Sequence, residues 1–161
     1  FSVMWIKLSK IGKNPSIPLK FAFGILQLGL GFLITQVGFQ FVNEAYQVPL
    51  LTLVFLYLLH TTGELFLSPI GLSMVTKLAP KNIAGTAMGA WFLSFAIANY
   101  VGGKIAALTG GHGDSGEQLS VEAGLHKYLD VFSTIGMVLL VIALIIILVN
   151  KPLKKLMHGV E

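Results

Sequence analysis

Glu64 is the acidic residue best placed to do chemistry, because it lies in the middle of an apolar stretch. It comes fifteen residues after Pro49 and thirteen before Lys77, about 20 Å from either end of a continuous helix. In a membrane, an ionised carboxylate at that depth costs roughly 2.5 to 3.5 kcal/mol and usually faces a water-filled cavity or a cation. Glu64 is therefore predicted to bind a substrate amine, a proton or a group on a part of the protein outside this sequence. The alternative is a structural role, as a Glu that stays protonated or forms a hydrogen bond to a neighbouring helix.

Residues near Glu64 would shape such a site. Ser68 lies one turn further along the same helix face, and Leu72 continues that face. Pro69 lacks an amide donor and clashes with the carbonyl four residues back, so we expect a kink there. Gly71 allows close approach of a neighbouring group or adds flexibility.

The next apolar stretch carries further polar and aromatic candidates. Trp91 is several turns from either end of it, so it either lines a site or packs inside protein. Asn99 is expected to form a hydrogen bond between helices. Gly85 and Gly89 form a GxxxG pattern, which permits tight helix contact but is common.

A metal site is not expected. His60 and Glu64 are four residues apart and could share an ion, but the apolar stretches offer no third ligand and the HExxH pattern is absent. An enzyme is not expected either, because no set of nucleophile, base and metal is visible.

The composition identifies the kind of element that holds these residues. The chain has 161 residues, of which 55% are hydrophobic and only 11% charged, and its mean hydropathy is +0.81. Soluble domains carry about 25% charge, so this is a membrane protein. The absence of Cys excludes disulfide scaffolds, thiolate zinc sites and Cys nucleophiles. The Lys residues cluster at the ends of apolar runs instead of forming one patch, so nucleic acid is not an expected partner.

Four stretches are long enough to cross about 30 Å of hydrocarbon as helices. The predicted fold is therefore an all-α membrane protein with four transmembrane helices. We expect these at 19–42, 49–75, 83–108 and 129–149, with the end of an earlier helix at 1–8 and an outer loop at 109–128. Ser120 is a plausible N-cap for the last helix, which we expect to begin outside the membrane.

The charges predict an orientation. Lys is concentrated in the leading segment, at Lys77 and Lys81, and in the tail, while the other two connections are acidic. By the positive-inside rule, both chain ends and the loop with Lys77 and Lys81 face the cytoplasm. The sequence begins with apolar residues and has no initiator Met. We therefore expect residues 1–161 to be a fragment of a longer protein whose N-terminal part is missing.

Two sequence runs resemble one transporter family. The run at 62–80, TGELFLSPIGLSMVTKLAP, is similar to the tenth-helix signature of the proton-dependent oligopeptide transporters (POT), a branch of the major facilitator superfamily. The run at 85–103, GTAMGAWFLSFAIANYVGG, resembles the next helix of that family. The resemblance covers essentially the whole chain, as helices nine to twelve within the C-terminal six-helix bundle.

The resemblance implies proton-driven symport of di- and tripeptides by alternating access, in a bacterial inner membrane. Glu64 would receive the peptide's amino terminus and take part in proton coupling, with Ser68 beside it. Trp91 and Phe92 would shape side-chain pockets, and Leu72 would match an inner gate. The expected partners are peptides, protons, membrane lipid and the missing N-terminal part; no cofactor is expected beyond the proton as coupling ion.

Other functions stay open on the sequence. The family's ExxERFxYY motif and the basic residues for the peptide carboxylate would belong to the missing part, so this chain alone should not transport. A carrier of the same architecture could move nitrate or another small solute. A tetraspan structural or assembly protein would use Glu64 and the pair Gly85 and Gly89 only for helix association.

Overall fold

The computed structural model describes residues 2–109 and 120–157, which form six α-helices in that part of the chain. They are α1 (Ser2–Lys10), α2 (Ile17–Phe39), α3 (Leu50–Leu78), α4 (Ala84–Thr109), α5 (Val121–Leu148) and α6 (Asn150–Leu156). Helices α2 to α5 are long and apolar enough to cross a membrane, with mean hydropathy from 1.3 to 3.0 over their most apolar windows. The predicted all-α membrane fold with four spans is confirmed.

The helix ends differ from the sequence-based bounds by local effects. Helix α3 continues three residues past 75 and ends before Pro80, which cannot continue a helix. Helix α5 begins at Val121, so the last eight residues of the expected loop 109–128 are helical. The Ser120 hydroxyl accepts a hydrogen bond from the Ala123 amide at 3.2 Å, which confirms Ser120 as the N-cap. The expected loop residues 110–119 lie outside the described residues.

Helix α2 lies between α3 and α5, and glycines let the backbones approach. A Cβ atom at Gly63 of α3 would lie 2.9 Å from the Gly24 carbonyl oxygen of α2. A Cβ atom at Gly29 of α2 would lie 3.1 Å from the Gly136 carbonyl oxygen of α5. Distances this short leave no room for a side chain, so the positions of these glycines set the spacing of the three helices.

The GxxxG pair predicted for tight contact is placed differently. Gly85 and Gly89 are exposed on α4, and among the described residues nothing lies within 4 Å of a Cβ atom at either position. The physical reason is that α4 packs only lightly in this chain, with its glycines on the open side of the helix. The pattern alone did not indicate which side of α4 meets a neighbour.

Hydrogen bonds tie both ends of the bundle. Ser16, just before α2, donates its hydroxyl hydrogen to the Asn150 side-chain oxygen at the start of α6, at 2.5 Å. At the other end, the Tyr46 hydroxyl donates to the Glu122 carboxylate at 3.0 Å. This hydrogen bond to Glu122 raises the pKa of Tyr46 above its ordinary value of 10.0. One end of the bundle thus joins the start of α2 to the start of α6, and the other joins the loop after α2 to the start of α5.

Helix α1 contacts α2 and α3 through one aromatic residue, Trp5. The Trp5 ring meets Phe66 of α3 edge to face, with centroids 5.2 Å apart. The Lys20 ammonium lies 4.8 Å from the Trp5 ring centroid, and its side chain is buried. The cation over the ring is stabilised there by the ring's negative face.

Candidate functional site

A cavity of about 730 Å³ lies between α2, α3 and α4, with Glu64 in its wall. This volume is in the range of small-molecule binding sites, roughly 300 to 1,000 Å³. Its lining side chains are apolar on α2 and mixed on the other two helices. They are Phe21, Ile25 and Leu28 on α2; Tyr57, His60, Thr61, Glu64, Leu67 and Ser68 on α3; Trp91, Ser94, Phe95 and Ala98 on α4.

Helix α3 supplies most of the polar wall because of its residue spacing. Tyr57, His60, Glu64 and Ser68 recur every three or four residues, so they lie on one face of the helix. Glu64 is exposed within this opening, and it is the only acidic residue among the lining residues. No Lys is among the cavity's described lining residues, so this part of the protein contributes a carboxylate and no permanent cation to the cavity wall.

Trp91 reaches the cavity over a glycine. A Cβ atom at Gly71 of α3 would overlap the Trp91 ring and lie 3.2 Å from Phe21, so only glycine leaves room for the indole there. The close approach expected at Gly71 is confirmed. The Trp91 ring also meets Phe95 at 6.2 Å between centroids, so α4 gives the cavity an aromatic wall.

Several predicted residues lie elsewhere. Phe92 is 59% exposed and does not line the cavity, and Leu72 is 40% exposed and lies beyond its lining. Helix α3 runs through Pro69 to Leu78, and the kink at Pro69 stays a prediction. Asn99 was expected to bond to another helix, which is wrong. The Asn99 side-chain amide donates to the Phe95 carbonyl of its own helix at 2.8 Å. The side chain is exposed, and the carbonyl four residues earlier is close enough to accept its hydrogen bond.

His60 lines the cavity one turn before Glu64, and sequence reasoning missed it as part of this site. Its ring packs on Phe32 with centroids 4.6 Å apart. Its Nε2 atom is buried and has no hydrogen-bond partner among the described residues. The four-residue spacing from Glu64 was the available signal, but it was weighed only for a metal ion. Within residues 2–109 and 120–157, no cluster of three or more His, Cys, Asp or Glu is arranged to hold one.

Four helices long and apolar enough to cross a membrane define an integral membrane protein, and comparison with known proteins narrows the class. The family model described as PTR2, POT family, matches residues 1–120. The chain therefore belongs to the POT family.

Individual relatives agree with this assignment. The chain is 38% identical over 151 residues to dipeptide and tripeptide permease A of Edwardsiella piscicida, covering 94% of this chain and 30% of the permease. It also matches a crystal structure of a POT peptide transporter in complex with sulfate, at TM-score 0.77 and 34% identity. A mutant of a POT transporter in complex with alafosfalin matches at TM-score 0.78. Each match covers 99% of this chain and 29% of the transporter, so the chain spans under a third of its relatives.

Proposed function

We propose that this chain forms one wall of the binding site of a proton-coupled symporter for di- and tripeptides. The observation that carries the proposal is Glu64 in the wall of a cavity whose described lining has no Lys. A zwitterionic peptide brings its own ammonium group, which supplies the cation that a carboxylate at this depth requires. The relatives' names, which refer to dipeptides and tripeptides, support the substrate class.

The remaining roles follow the cavity from Glu64 outward. Ser68 offers a hydroxyl one turn from the carboxylate, and Trp91 offers an apolar surface for a peptide side chain. Phe92 and Leu72 lie outside the cavity lining, so their roles as pocket and gate require another arrangement of the helices. Alternating access supplies such an arrangement, since the two halves of a carrier rock against each other around the site.

The charge of the cavity argues against the alternative substrate. Nitrate is an anion and needs a cation or several donors, whereas the described lining offers a carboxylate. The tetraspan scaffold also loses support, because the glycine pair Gly85 and Gly89 on which it depended contacts no other helix in the described part of the chain.

Replacing Glu64 tests the proposal in the full-length transporter. Glu64→Gln keeps the shape but removes the charge that binds the ammonium, so proton-driven uptake of labelled dialanine should fall at least about tenfold, the effect of losing roughly 1.4 kcal/mol. Expression and monodispersity should stay normal. Glu44→Gln is the matched control, since Glu44 lies outside this cavity, in the loop after α2. Uptake by the Glu64→Gln protein at the control's rate would remove Glu64 from the mechanism.

A competition assay separates the substrate classes. Unlabelled dialanine should block uptake of a labelled tripeptide, while nitrate at the same concentration should not. Inhibition by nitrate alone would favour the small-solute carrier.

A further inference from the structure

Helix α6 begins where the last membrane-spanning helix leaves the hydrocarbon. Residues 131–150, between Asp130 and Lys151, carry no charge. As a helix, these 20 residues are about 30 Å long, which matches the hydrocarbon core of a bilayer. Helix α5 ends before a break in the helix at Val149, and α6 follows directly. Lys151, in the first turn of α6, therefore lies at the membrane boundary.

A second spanning helix marks the same level. The Ser16 hydroxyl donates to the Asn150 side-chain oxygen at 2.5 Å, and Ser16 is the N-cap residue of α2. Two spans of the chain thus meet the boundary side by side. Helix α6 contacts α2 as well as α5, and Met157 at its C-terminal end is only 8% exposed. Helix α6 therefore lies against the bundle at the boundary instead of pointing away from it.

The two sides of α6 differ in chemistry. Lys151, Lys154 and Lys155 follow each other at helical spacing, so they share one face, and all three are exposed. Leu153 and Leu156 share the other side. Leu153 is half-buried, whereas Leu156 is 71% exposed. A helix with Lys on one side and apolar residues on the other is suited to the layer where lipid headgroups meet acyl chains.

We propose that α6 binds the phosphate groups of anionic phospholipids on this side of the membrane. The ammonium groups of Lys151, Lys154 and Lys155 bind the phosphates, and Leu156 inserts among the upper parts of the acyl chains. A Lys side chain can lay its apolar stem along the hydrocarbon while its ammonium stays with the headgroups. The proposal goes beyond the proposed function and does not depend on it, because it requires only that α2 and α5 span the membrane.

The arrangement of α6 goes further than membrane orientation requires. The positive-inside rule counts Lys residues near a span and does not require them to share a helix face. In α6 they do share one, and an exposed leucine lies on the opposite side at the same depth. The hydrogen bond from Ser16 to Asn150 also ties the start of the helix to a second span. These features together favour a lipid-binding surface.

A fluorophore on α6 tests its placement in the membrane. In the full-length protein, any cysteines outside this Cys-free chain are replaced by serine. Leu156→Cys is labelled with bimane and reconstituted in nanodiscs of phosphatidylcholine brominated on the acyl chains near the headgroup. The label at position 156 should lose more fluorescence to the bromine than a label on Lys154→Cys. The two positions lie in the same turn on opposite sides of α6.

The same label measures the headgroup preference. Brominated phosphatidylglycerol, diluted into unbrominated phosphatidylcholine, should quench position 156 more than the same fraction of brominated phosphatidylcholine. Adding Lys151→Gln and Lys155→Gln should remove most of this difference, because each lysine near an anionic surface contributes about fivefold to binding. The matched control, Lys151→Arg with Lys155→Arg, keeps the charge and should keep the preference. Lys155→Gln alone, with a loss of about fivefold, replaces the pair if the double variant does not fold.

Each outcome decides one part of the proposal. Equal quenching at positions 154 and 156 would show that α6 does not lie in the interface, which overturns the proposal. Equal quenching by the two brominated lipids in the wild type, or a preference that survives in the Gln pair, would overturn the lysines as phosphate-binding groups. None of these results depends on peptide uptake, so they leave the proposed function to its own test.

Discussion

Gly71 determines where the Trp91 indole can lie. The indole occupies the place that a side chain at position 71 would take, and Phe21 closes the other side at 3.2 Å from a Cβ atom there. The aromatic ring is rigid and cannot fold away as an aliphatic chain could. Even one methyl group at this position therefore moves the wall of the cavity.

Gly71→Ala should impair both folding and binding. Overpacking of this kind costs about 1 to 3 kcal/mol, and displacement of Trp91 should weaken binding of a dipeptide with an aromatic side chain by about tenfold, or roughly 1.4 kcal/mol. Titration of the purified full-length protein measures this. The matched control is Gly85→Ala, where a Cβ atom meets nothing within 4 Å in the described structure. Equal affinities for the two variants would show that the Trp91 position is unimportant for binding.

The residue scale is also where sequence reasoning was most uneven. Glu64 and Ser68 could be placed on one face from their spacing, since helix geometry is regular. His60 has the same spacing, but whether it faces a cavity depends on Gly31 of another helix, which no local pattern reveals. Asn99 was assigned to another helix, yet its own turn provides the acceptor.

Helix α2 is the element that organises the described bundle. Its glycines meet both neighbours: Gly24, Gly31 and Gly38 meet α3, while Gly29 meets α5. The four membrane-spanning helices could be predicted from hydropathy. Which helix packs against which could not, because these contacts depend on the three-dimensional packing. The pattern at Gly85 and Gly89 satisfied the sequence rule for close packing and meets no helix in the described part of the chain.

Gly63→Ala should separate α2 from α3. Its Cβ atom would lie 2.9 Å from the Gly24 carbonyl oxygen, and a backbone atom cannot turn aside as a side chain can. We expect a loss of about 1 to 3 kcal/mol in stability. The measurement is the apparent melting temperature of the full-length protein in detergent. Gly102→Ala, at a position with open space, should melt as the wild type does. If Gly63→Ala melts at that same temperature, the α2–α3 crossing tolerates a wider spacing.

At the scale of the whole molecule, the two ends of the bundle differ in charge. The end tied by Ser16 and Asn150 carries the Lys-rich α6, and the end tied by Tyr46 and Glu122 is acidic. The described helices therefore place the connections in the alternating order that the Lys pattern predicts. The positive-inside rule turns this asymmetry into a proposed orientation, with the Lys-rich end in the cytoplasm.

Cysteine labelling in intact cells decides that orientation, and the chain is suited to it because it contains no Cys. Any cysteines elsewhere in the full-length protein are first replaced by serine, and transport is checked. Gln47→Cys, in the loop next to Tyr46, should react with a membrane-impermeant maleimide added outside. Lys81→Cys and Lys154→Cys should react only after the membrane is permeabilised, because both lie at the Lys-rich end. The reverse pattern would invert the proposed topology. Glu64 would then lie one turn on the cytoplasmic side of Ser68 instead of on its outer side.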